Sequence, residues 1–267
     1  MAGFFGFMNF DKEGPGIDVN APKKKSFFVF FETFFRNFWR FIPINALFCL
    51  MSLPLFTSGI ASAGLTHVTR NIARDKHSFG LSDYMDTVKK NWKQSLAAGT
   101  INTVIFALVG VSMWFYYHLT GWGFAFGMGL TGAMLFIFLI MNFYIYTMII
   151  TFNLKLGAIY RNAFRFVFVN MKGNIICGLS LVAVYAVFVG VLILLPYYLT
   201  LYIAILLLVC TLPAFRFLLI QFCTFPAIKK YMIDPYYAAH PGEDIEKRRN
   251  LGLDIFEENS DTDETVN

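Results

Sequence analysis

The stretch SLAAGTINTVIFALVGVSMWFYYHLTGWGFAFGMGLTGAMLFIFLIMNFYIYTMIITFNL, residues 95–154, contains no Asp, Glu, Lys or Arg. A second tract, GNIICGLSLVAVYAVFVGVLILLPYYLTLYIAILLLVCTLPAF at residues 173–215, also lacks these residues. A helix that crosses a bilayer needs about 20 mostly apolar residues, so each tract is long enough for two crossings. Basic residues fill the segment between the tracts, which has no acid: Lys155, Arg161, Arg165 and Lys172. This alternation predicts an all-α, polytopic transmembrane helical bundle.

The composition of the chain points to the same class. Only 15% of the 267 residues are charged and 57% are hydrophobic, whereas a soluble domain carries about 25% charged residues. The net charge of +5 comes from basic residues that lie next to apolar segments, a pattern typical of topology signals and of contacts with anionic headgroups. The lipid bilayer is therefore the expected partner, and no nucleic-acid partner is predicted.

Five apolar segments give about five predicted spans: residues 41–65, 96–117, 123–152, 175–195 and 197–225. The second and third segments, and the fourth and fifth, are joined by short uncharged turns with aromatic flanks. Aromatic residues collect at the membrane–water boundary, and Lys and Arg collect on the cytoplasmic side. The two turns are therefore predicted to face outward, and the basic loops and the C-terminus to face the cytoplasm.

The first apolar segment contains its own break signal. If residues 41–65 crossed once, the basic residues before them would lie outside, against the usual preference of Lys and Arg for the cytoplasm. Pro54 and the following Thr57-Ser58-Gly59 could instead divide the segment into two half-helices. A break at membrane depth requires neighbouring protein to satisfy the freed backbone groups. A hairpin, or a partial crossing, is favoured over a basic exterior arm.

Three regions are predicted along the chain. Residues 1–26 form an irregular arm that is too poor in apolar residues for a secretory signal. Residues 27–233 form the membrane domain, which begins with a Phe-rich interfacial helix. Residues 234–267 form a flexible acidic tail on the cytoplasmic side. The acids of this tail have no basic partner after Arg249: Asp254, Glu257, Glu258, Asp261, Asp263 and Glu264.

Two basic segments share a short pattern. Arg70-Asn71-Ile72-Ala73-Arg74 is similar to Arg161-Asn162-Ala163-Phe164-Arg165, and Asn91-Trp92-Lys93 is similar to Asn170-Met171-Lys172. These matches predict a parallel two-helix repeat with a cytoplasmic elbow in each copy, although similar boundary chemistry arising twice would give the same pattern. The elbow residues are the candidate contacts with a partner or with lipid: Arg70, Arg74, Asn91, Lys93, Arg161, Arg165, Asn170 and Lys172.

Polar residues inside the apolar segments are a second set of candidates, namely Asn45, Asn142 and Arg216. Amides at this depth could line a substrate path, but they more often join helices by hydrogen bonds worth about 0.6 kcal/mol each. Arg216 is either a functional intramembrane charge or a residue at the inner headgroups, because the fifth span ends near Pro213. In the second case residues 217–231 would form an interfacial helix.

Gly123 and Gly127 form a GxxxG motif, with Gly129 and Gly132 further along the same segment. Small residues on one helix face allow a close approach of a neighbouring helix. The motif therefore predicts a packing seam, whose partner is either another helix of this chain or a second subunit of an oligomer.

No motif predicts catalysis. The sequence has no HExxH, GxSxG or P-loop pattern, and the uncharged tracts hold no carboxylate that could relay protons or couple ion transport. The four Cys and four His are scattered along the chain, so no metal site and no cofactor are predicted. The sequence is interpreted as that of a non-enzymatic protein.

Several strings resemble the YesL-like family of bacterial integral membrane proteins, a domain-of-unknown-function family common in Firmicutes. The strings include Leu53-Pro54-Leu55-Phe56-Thr57-Ser58-Gly59, Ala73-Arg74-Asp75, Asn91-Trp92-Lys93-Gln94 and Pro226-Ala227-Ile228-Lys229-Lys230. The resemblance implies a multi-pass plasma-membrane protein, often encoded beside carbohydrate ABC importers and glycan-degrading enzymes. The resemblance implies no catalytic or binding residues that could be assigned to positions of this sequence.

The basic elbows and the resemblance together lead to two functional hypotheses. The first is an accessory or regulatory partner in carbohydrate uptake, which contacts subunits of an ABC importer through the elbows. The alternative is a small permease with an amide-lined pathway at the membrane midplane.

Overall fold

The computed structural model describes residues 26–76, 78–194 and 196–239. All regular structure in these ranges is helical, which confirms the predicted all-α class. The predicted arm before Ser26 and the part of the predicted tail after Ala239 lie outside the described residues. The helices follow in chain order: α1 (Ser26–Arg36), α2 (Phe38–Ser52), α3 (Ser58–Ala73), α4 (Leu81–Tyr117), α5 (Gly121–Thr151), α6 (Leu156–Val169), α7 (Met171–Leu194), α8 (Tyr197–Cys210), α9 (Leu212–Ile228) and α10 (Asp234–Ala239), with a 3₁₀ turn at Leu55–Thr57 and a π-helical turn at Lys229–Ile233.

Four helical stretches in the described ranges are long and apolar enough to span a membrane: Leu81–Tyr117, Gly121–Thr151, Met171–Leu194 and Leu212–Ala238. These lengths and compositions are consistent with a membrane protein. The predicted fifth segment, residues 197–225, is divided into two helices. Its first part, α8, has 14 residues and rises about 21 Å, which is shorter than a hydrocarbon core of about 30 Å.

The two short turns predicted from the uncharged tracts are present. Helix α4 ends at Tyr117 and α5 begins at Gly121, where a positive φ of 61° reverses the chain in a conformation that glycine adopts at little cost. Helix α7 ends at Leu194 and α8 begins at Tyr197. The α4–α5 and α7–α8 hairpins therefore follow the pattern of the sequence.

The predicted break in the first apolar segment is also present, between Ser52 and Ser58. Hydroxyl groups supply hydrogen bonds to carbonyls at the break. The Thr57 hydroxyl donates to the Met51 carbonyl at 2.6 Å and to the Pro54 carbonyl at 2.8 Å, and the Ser58 hydroxyl donates to the Leu55 carbonyl at 2.6 Å. Side chains near the break thus supply the partners that a broken helix needs in an apolar environment.

The hairpin of α2 and α3 ends partway along α4. Its tip meets α4 at Thr103, whose hydroxyl donates to the Leu55 carbonyl at 3.4 Å. Helix α4 continues from Thr103 to Tyr117, about 21 Å further. Leu53 and Leu55 at the tip are exposed apolar side chains. This geometry favours the partial crossing over a hairpin that traverses the whole bilayer.

Two glycines allow α3 to lie directly on α4. Gly59 and Gly99 face each other, and a Cβ placed on Gly99 would come within 2.7 Å of the Cα and the N of Gly59. Atoms that belong to backbone cannot move aside as a flexible side chain can. The contact therefore depends on the absence of a side chain at both positions.

Helix α9 is the centre of the bundle, since it contributes to both hydrophobic cores. Leu218 packs with the Phe residues of α1 and α2 in one core, and Ile228 packs with α5, α6 and α7 in the other. Both side chains have no exposed surface. The alternative in which the fifth span ends near Pro213 agrees with the break between α8 and α9. The helix after the break is packed against α1, α2, α3, α5 and α7, which differs from the interfacial helix expected at residues 217–231.

Candidate functional site at the basic end of the bundle

A cavity of about 680 Å³ lies between α4 and the end of α5. Its walls are the segments Lys90–Gln94 and Ile149–Asn153. Helix α4 begins at Leu81, well before the uncharged tract, and this places its polar turns beside the end of α5. One side is closed by Gln94, whose Nε2 donates to the Leu154 carbonyl at 2.5 Å.

The lining of the cavity is cationic and rich in amides. Lys90 and Lys93 contribute ammonium groups, Trp92 contributes an indole that is 48% exposed, and no acid lines the cavity. Within the described ranges neither lysine forms an ion pair. The amide side chains of the lining belong to Asn91, Gln94 and Asn153. The cavity therefore offers many hydrogen-bond donors and unpaired positive charge.

Arg70 lies behind the α5 wall of this cavity. It is 6% exposed, and its Nη1 donates to the hydroxyl of Thr151, a lining residue, at 2.7 Å. Its Nη2 lies 3.4 Å from Nδ1 of His67, and its Nε has no partner within the described residues. A buried guanidinium without a carboxylate is costly, so Arg70 adds uncompensated positive charge to this end of the bundle.

The other residues of the first elbow have separate contacts. The Arg74 guanidinium lies 4.7 Å above the centre of the Phe225 ring on α9, a cation–π arrangement. Asp75 forms an ion pair with Arg36 of α1. Asn91 lines the cavity, and its Nδ2 donates to the Thr87 carbonyl at 3.2 Å. The structure thus brings Asn91 and Lys93 together in the cavity. Arg70 does not line the cavity but contacts the lining residue Thr151.

Lys76, just after α3, provides a test of the positive potential at this end. Its pKa is lowered to about 8, because partial burial removes water from the ammonium and because Arg74 and Arg70 lie nearby. Since this pKa lies below the ordinary 10.5, protonated Lys76 disfavours folding, and stability rises with pH between the two values. We expect an amine-selective acylating reagent at pH 8 to label Lys76 several-fold faster than exposed Lys89, as measured by peptide mass spectrometry. Equal labelling rates would contradict the shift.

The second predicted elbow is arranged differently. Arg161, Arg165 and Lys172 are all exposed. The Asn170 side chain is used inside the bundle, where its Nδ2 donates to the Tyr144 hydroxyl at 2.9 Å and to the Cys223 carbonyl at 3.3 Å. The matching arginines of the two elbows, Arg70 and Arg161, therefore differ in exposure. The second elbow therefore forms an exposed basic surface, whereas the first elbow contributes Asn91 and Lys93 to the lining of a cavity.

A network of amide and tyrosine side chains joins α4, α5 and α6. Asn102 Nδ2 donates to Asn142 Oδ1 at 2.7 Å and to the Tyr146 hydroxyl at 3.2 Å. The Tyr160 hydroxyl donates to Asn102 Oδ1 at 2.7 Å, and Asn142 Nδ2 donates to the Phe138 carbonyl at 2.9 Å. The polar groups of this network mostly bond to one another, so the network holds helices together.

Replacing Tyr160 by Phe removes one hydroxyl from this network and leaves Asn102 Oδ1 without that donor. We expect the free energy of unfolding to fall by about 0.5–1 kcal/mol, the usual net value of such a bond. Thermal unfolding of the detergent-solubilised protein measures the loss. Tyr202→Phe is the matched control, since Tyr202 is 73% exposed; an equal shift for both variants would mean that the network does not stabilise the fold.

Asn45 connects three helices. Its Nδ2 donates to the Cys210 carbonyl at the end of α8 at 3.1 Å, and its Oδ1 accepts from the Ala214 N–H in the first turn of α9 at 2.9 Å. Groups at helix ends lack partners within their own helix. Arg216, by contrast, is exposed, with its guanidinium 5.7 Å from the centre of the Phe217 ring. Of the three predicted intramembrane residues, Asn45 and Asn142 are therefore used for packing.

The glycine seam has a neighbour inside the chain. A Cβ on Gly127 would collide with the ring of Tyr116 from α4, whereas Gly123 is exposed and has the Leu119 side chain at 3.5 Å from an added Cβ. Gly127 therefore serves the α4–α5 hairpin. An oligomer formed through Gly123 and Gly127 stays a prediction.

Lys90, Thr151 and Tyr160 are not among the residues predicted from the sequence. Lys90 lies three positions before the predicted Lys93 on α4, and residues with this spacing share a helix face; that spacing was the available signal. Thr151 and Tyr160 gave no comparable signal, because their roles depend on which helices meet. Within the described residues, no three His, Cys, Asp or Glu side chains lie close enough to hold a metal ion.

The model of DUF624, a protein family of unknown function, matches residues 41–113. The match runs from α2 into α4 and includes the broken hairpin, Arg70 and the Lys90–Gln94 wall of the cavity. No curated protein and no solved structure matches the chain. The function of the chain has to be inferred from its site.

Proposed function

We propose that the chain is a non-enzymatic integral membrane protein and an accessory or regulatory partner of a carbohydrate ABC importer. The observation that supports this function best is the exposed basic surface of the second elbow, formed by Arg161, Arg165 and Lys172. Within the described residues none of these three side chains forms an ion pair. Such a surface suits a partner with acidic groups. The resemblance to the YesL-like family of Firmicutes supplies the expectation that the partner is an importer.

The proposal includes a location and a topology. The chain lies in the bacterial plasma membrane, with its basic loops and its C-terminus in the cytoplasm, as the distribution of Lys and Arg predicts. It has about five apolar segments, the first of which is the broken hairpin that enters the bilayer only partway, and its two elbows descend from a parallel repeat. The uncharged outward turns at residues 118–120 and at Pro196 support this orientation.

The hydrogen bonding of the amides supports the accessory function over the permease. A pathway for sugar would need amides that are free to bind hydroxyl groups. Asn45, Asn102, Asn142 and Asn174 instead form hydrogen bonds within the chain, most of them between helices. Breaking such bonds to admit a substrate would leave buried polar groups without partners, which costs about 1–3 kcal/mol for each group.

Affinity purification of the full chain from a bacterium that carries it tests the proposal. We expect importer subunits to be enriched with the wild-type chain and to be lost with the triple variant Arg161→Gln, Arg165→Gln, Lys172→Gln. The control variant, Arg40→Gln, Lys89→Gln, Lys230→Gln, removes the same charge from exposed positions outside the elbow and should retain the partner. The proposal is wrong if no importer subunit is enriched over an unrelated membrane protein.

A transport assay distinguishes the accessory function from the alternative, a small permease. Liposomes that contain this chain alone should show no uptake of labelled glycans. Uptake above that of empty liposomes would favour the permease and contradict an accessory function.

A further inference from the structure

We infer that the cavity between α4 and α5 is a binding site for a phosphate ester that enters from the basic end of the bundle. Its elements are Lys90, Lys93 and the amides on α4, and Thr151 with Arg70 behind it on the α5 side. The inference does not require an importer partner, and it assigns a ligand to a cavity that the proposed function does not use.

Charge is the first reason. Two lysines line a concave surface, no acid lines it, and neither lysine has an ion-pair partner within the described ranges. Asp86 precedes Lys90 by one helical turn, a spacing that allows an ion pair, yet the two do not form one. Concave sites lined by one sign of charge concentrate counter-ions. An anion is therefore the ligand class that the cavity attracts.

Arg70 is the second and independent reason. Its guanidinium is almost completely buried, its Nε has no partner, and it reaches the cavity wall through the Thr151 hydroxyl. Burying a charge without a counter-ion costs free energy unless an opposite charge lies near. An anion in the cavity would supply the missing negative charge a short distance beyond Thr151. An anion would therefore stabilise both the buried Arg70 and the unpaired Lys90 and Lys93.

The number and kind of donors point to phosphate. A phosphate group has several oxygens that accept hydrogen bonds, and the cavity offers the ammonium groups of Lys90 and Lys93. Asn91 and Gln94 each add the one amide N–H that is not used in the bond to the Thr87 or the Leu154 carbonyl. A cavity of about 680 Å³ is much larger than a phosphate ion and leaves room for the alcohol part of an ester. Carbonyls at the end of α5, which lack helical donors, can accept hydrogen bonds from the hydroxyl groups of that alcohol.

Two sources could supply this chemistry, namely the headgroup of an anionic phospholipid or a soluble phosphate ester. Isothermal titration calorimetry of the full chain in a non-ionic detergent at low ionic strength distinguishes them. The probes are glycerol 3-phosphate, dihexanoyl phosphatidylglycerol and, as a zwitterionic control, dihexanoyl phosphatidylcholine. Binding of glycerol 3-phosphate identifies a soluble ligand; binding of phosphatidylglycerol without glycerol 3-phosphate identifies a lipid headgroup. Either result supports the phosphate site.

The matched variants decide whether binding occurs in the cavity. Lys90→Gln with Lys93→Gln should weaken binding of the active probe at least about tenfold, since hydrogen bonds to charged groups are worth about 1.5–3 kcal/mol. Lys89→Gln with Lys230→Gln removes the same charge from exposed lysines outside the cavity and should leave binding within about twofold. All four substitutions lie at the surface, and thermal unfolding checks that both proteins are folded.

Three results would overturn the inference. One is the absence of binding by every probe to the wild-type chain. Another is an equal loss in both double variants, which would assign the binding to the overall charge. If Lys90 and Lys93 only stabilise the C-terminal end of the α5 dipole, their replacement lowers the melting temperature while phosphate binding is absent or unchanged, and the inference is equally wrong.

Discussion

Replacing Gly99 by Val is expected to separate α3 from α4 and to lower the free energy of unfolding by about 3 kcal/mol or more. A Cβ at this position would lie 2.7 Å from the Cα and the N of Gly59 and 3.2 Å from the Phe56 carbonyl oxygen. These neighbours are backbone atoms on the broken hairpin, so the strain can be relieved only by moving the hairpin. Thermal unfolding in detergent, followed by circular dichroism, measures the effect.

Gly110→Val is the control for this substitution. Gly110 lies on the same helix, and a Cβ there would have no atom within 4 Å. It should change stability by less than about 1 kcal/mol, because the new side chain points into open space and only backbone entropy and helix propensity change. Similar melting temperatures for the two variants would show that α3 does not depend on the close approach to α4.

The substitution Asn45→Leu is expected to have the second largest effect. Leucine is of similar size but can neither accept from the Ala214 N–H nor donate to the Cys210 carbonyl, and Asn45 has no exposed surface. Each buried polar group without a partner costs about 1–3 kcal/mol, so the free energy of unfolding should fall by about 2–5 kcal/mol. The loss should exceed the roughly 0.6 kcal/mol typical of one interhelical bond in a membrane, because helix ends cannot find substitute partners.

Asn162→Leu provides the comparison for Asn45. Asn162 lies on α6, is half-buried, and its side chain has no hydrogen bond within the described residues. Its replacement should change the melting temperature little. If both asparagine variants melt at the same temperature, the junction between α8 and α9 does not depend on Asn45.

The broken hairpin shows how far local chemistry can predict this fold. Pro54 cannot donate a backbone hydrogen bond and restricts the preceding residue, and Thr57 and Ser58 carry hydroxyls that cap broken ends. These properties belong to the residues themselves, so the break could be predicted. The interruption at Thr211 was predicted only as one of two alternatives, the one in which the fifth span ends near Pro213. A proline is also tolerated in the first turn of a helix, so Pro213 alone could not decide between a break and a continuous segment.

The candidate site was predictable only in part. The basic character of Asn91-Trp92-Lys93 and of the second elbow is visible in the sequence. The cavity exists because the end of α5 lies beside the polar turns of α4, and the burial of Arg70 depends on α3, α5 and α4 meeting at one place. Contacts between residues such as Arg70 and Thr151, 81 positions apart, leave no periodic or spacing pattern along the chain.

The sequence by itself determined the helical class, the apolar segments long enough to span a membrane, the positions of the two short turns and the break near Pro54. Each follows from the amount of apolar surface, the placement of charge or the chemistry of one residue, and these quantities are local. The tertiary structure decided that the hairpin stops partway along α4, that α9 lies at the centre, and that most amides bond within the bundle. Residues 95–154 are uncharged, so ion pairs cannot determine which helices pack against them. Helix packing there depends on close contacts such as that between Gly99 and Gly59, and on hydrogen bonds between side chains that are distant in the sequence.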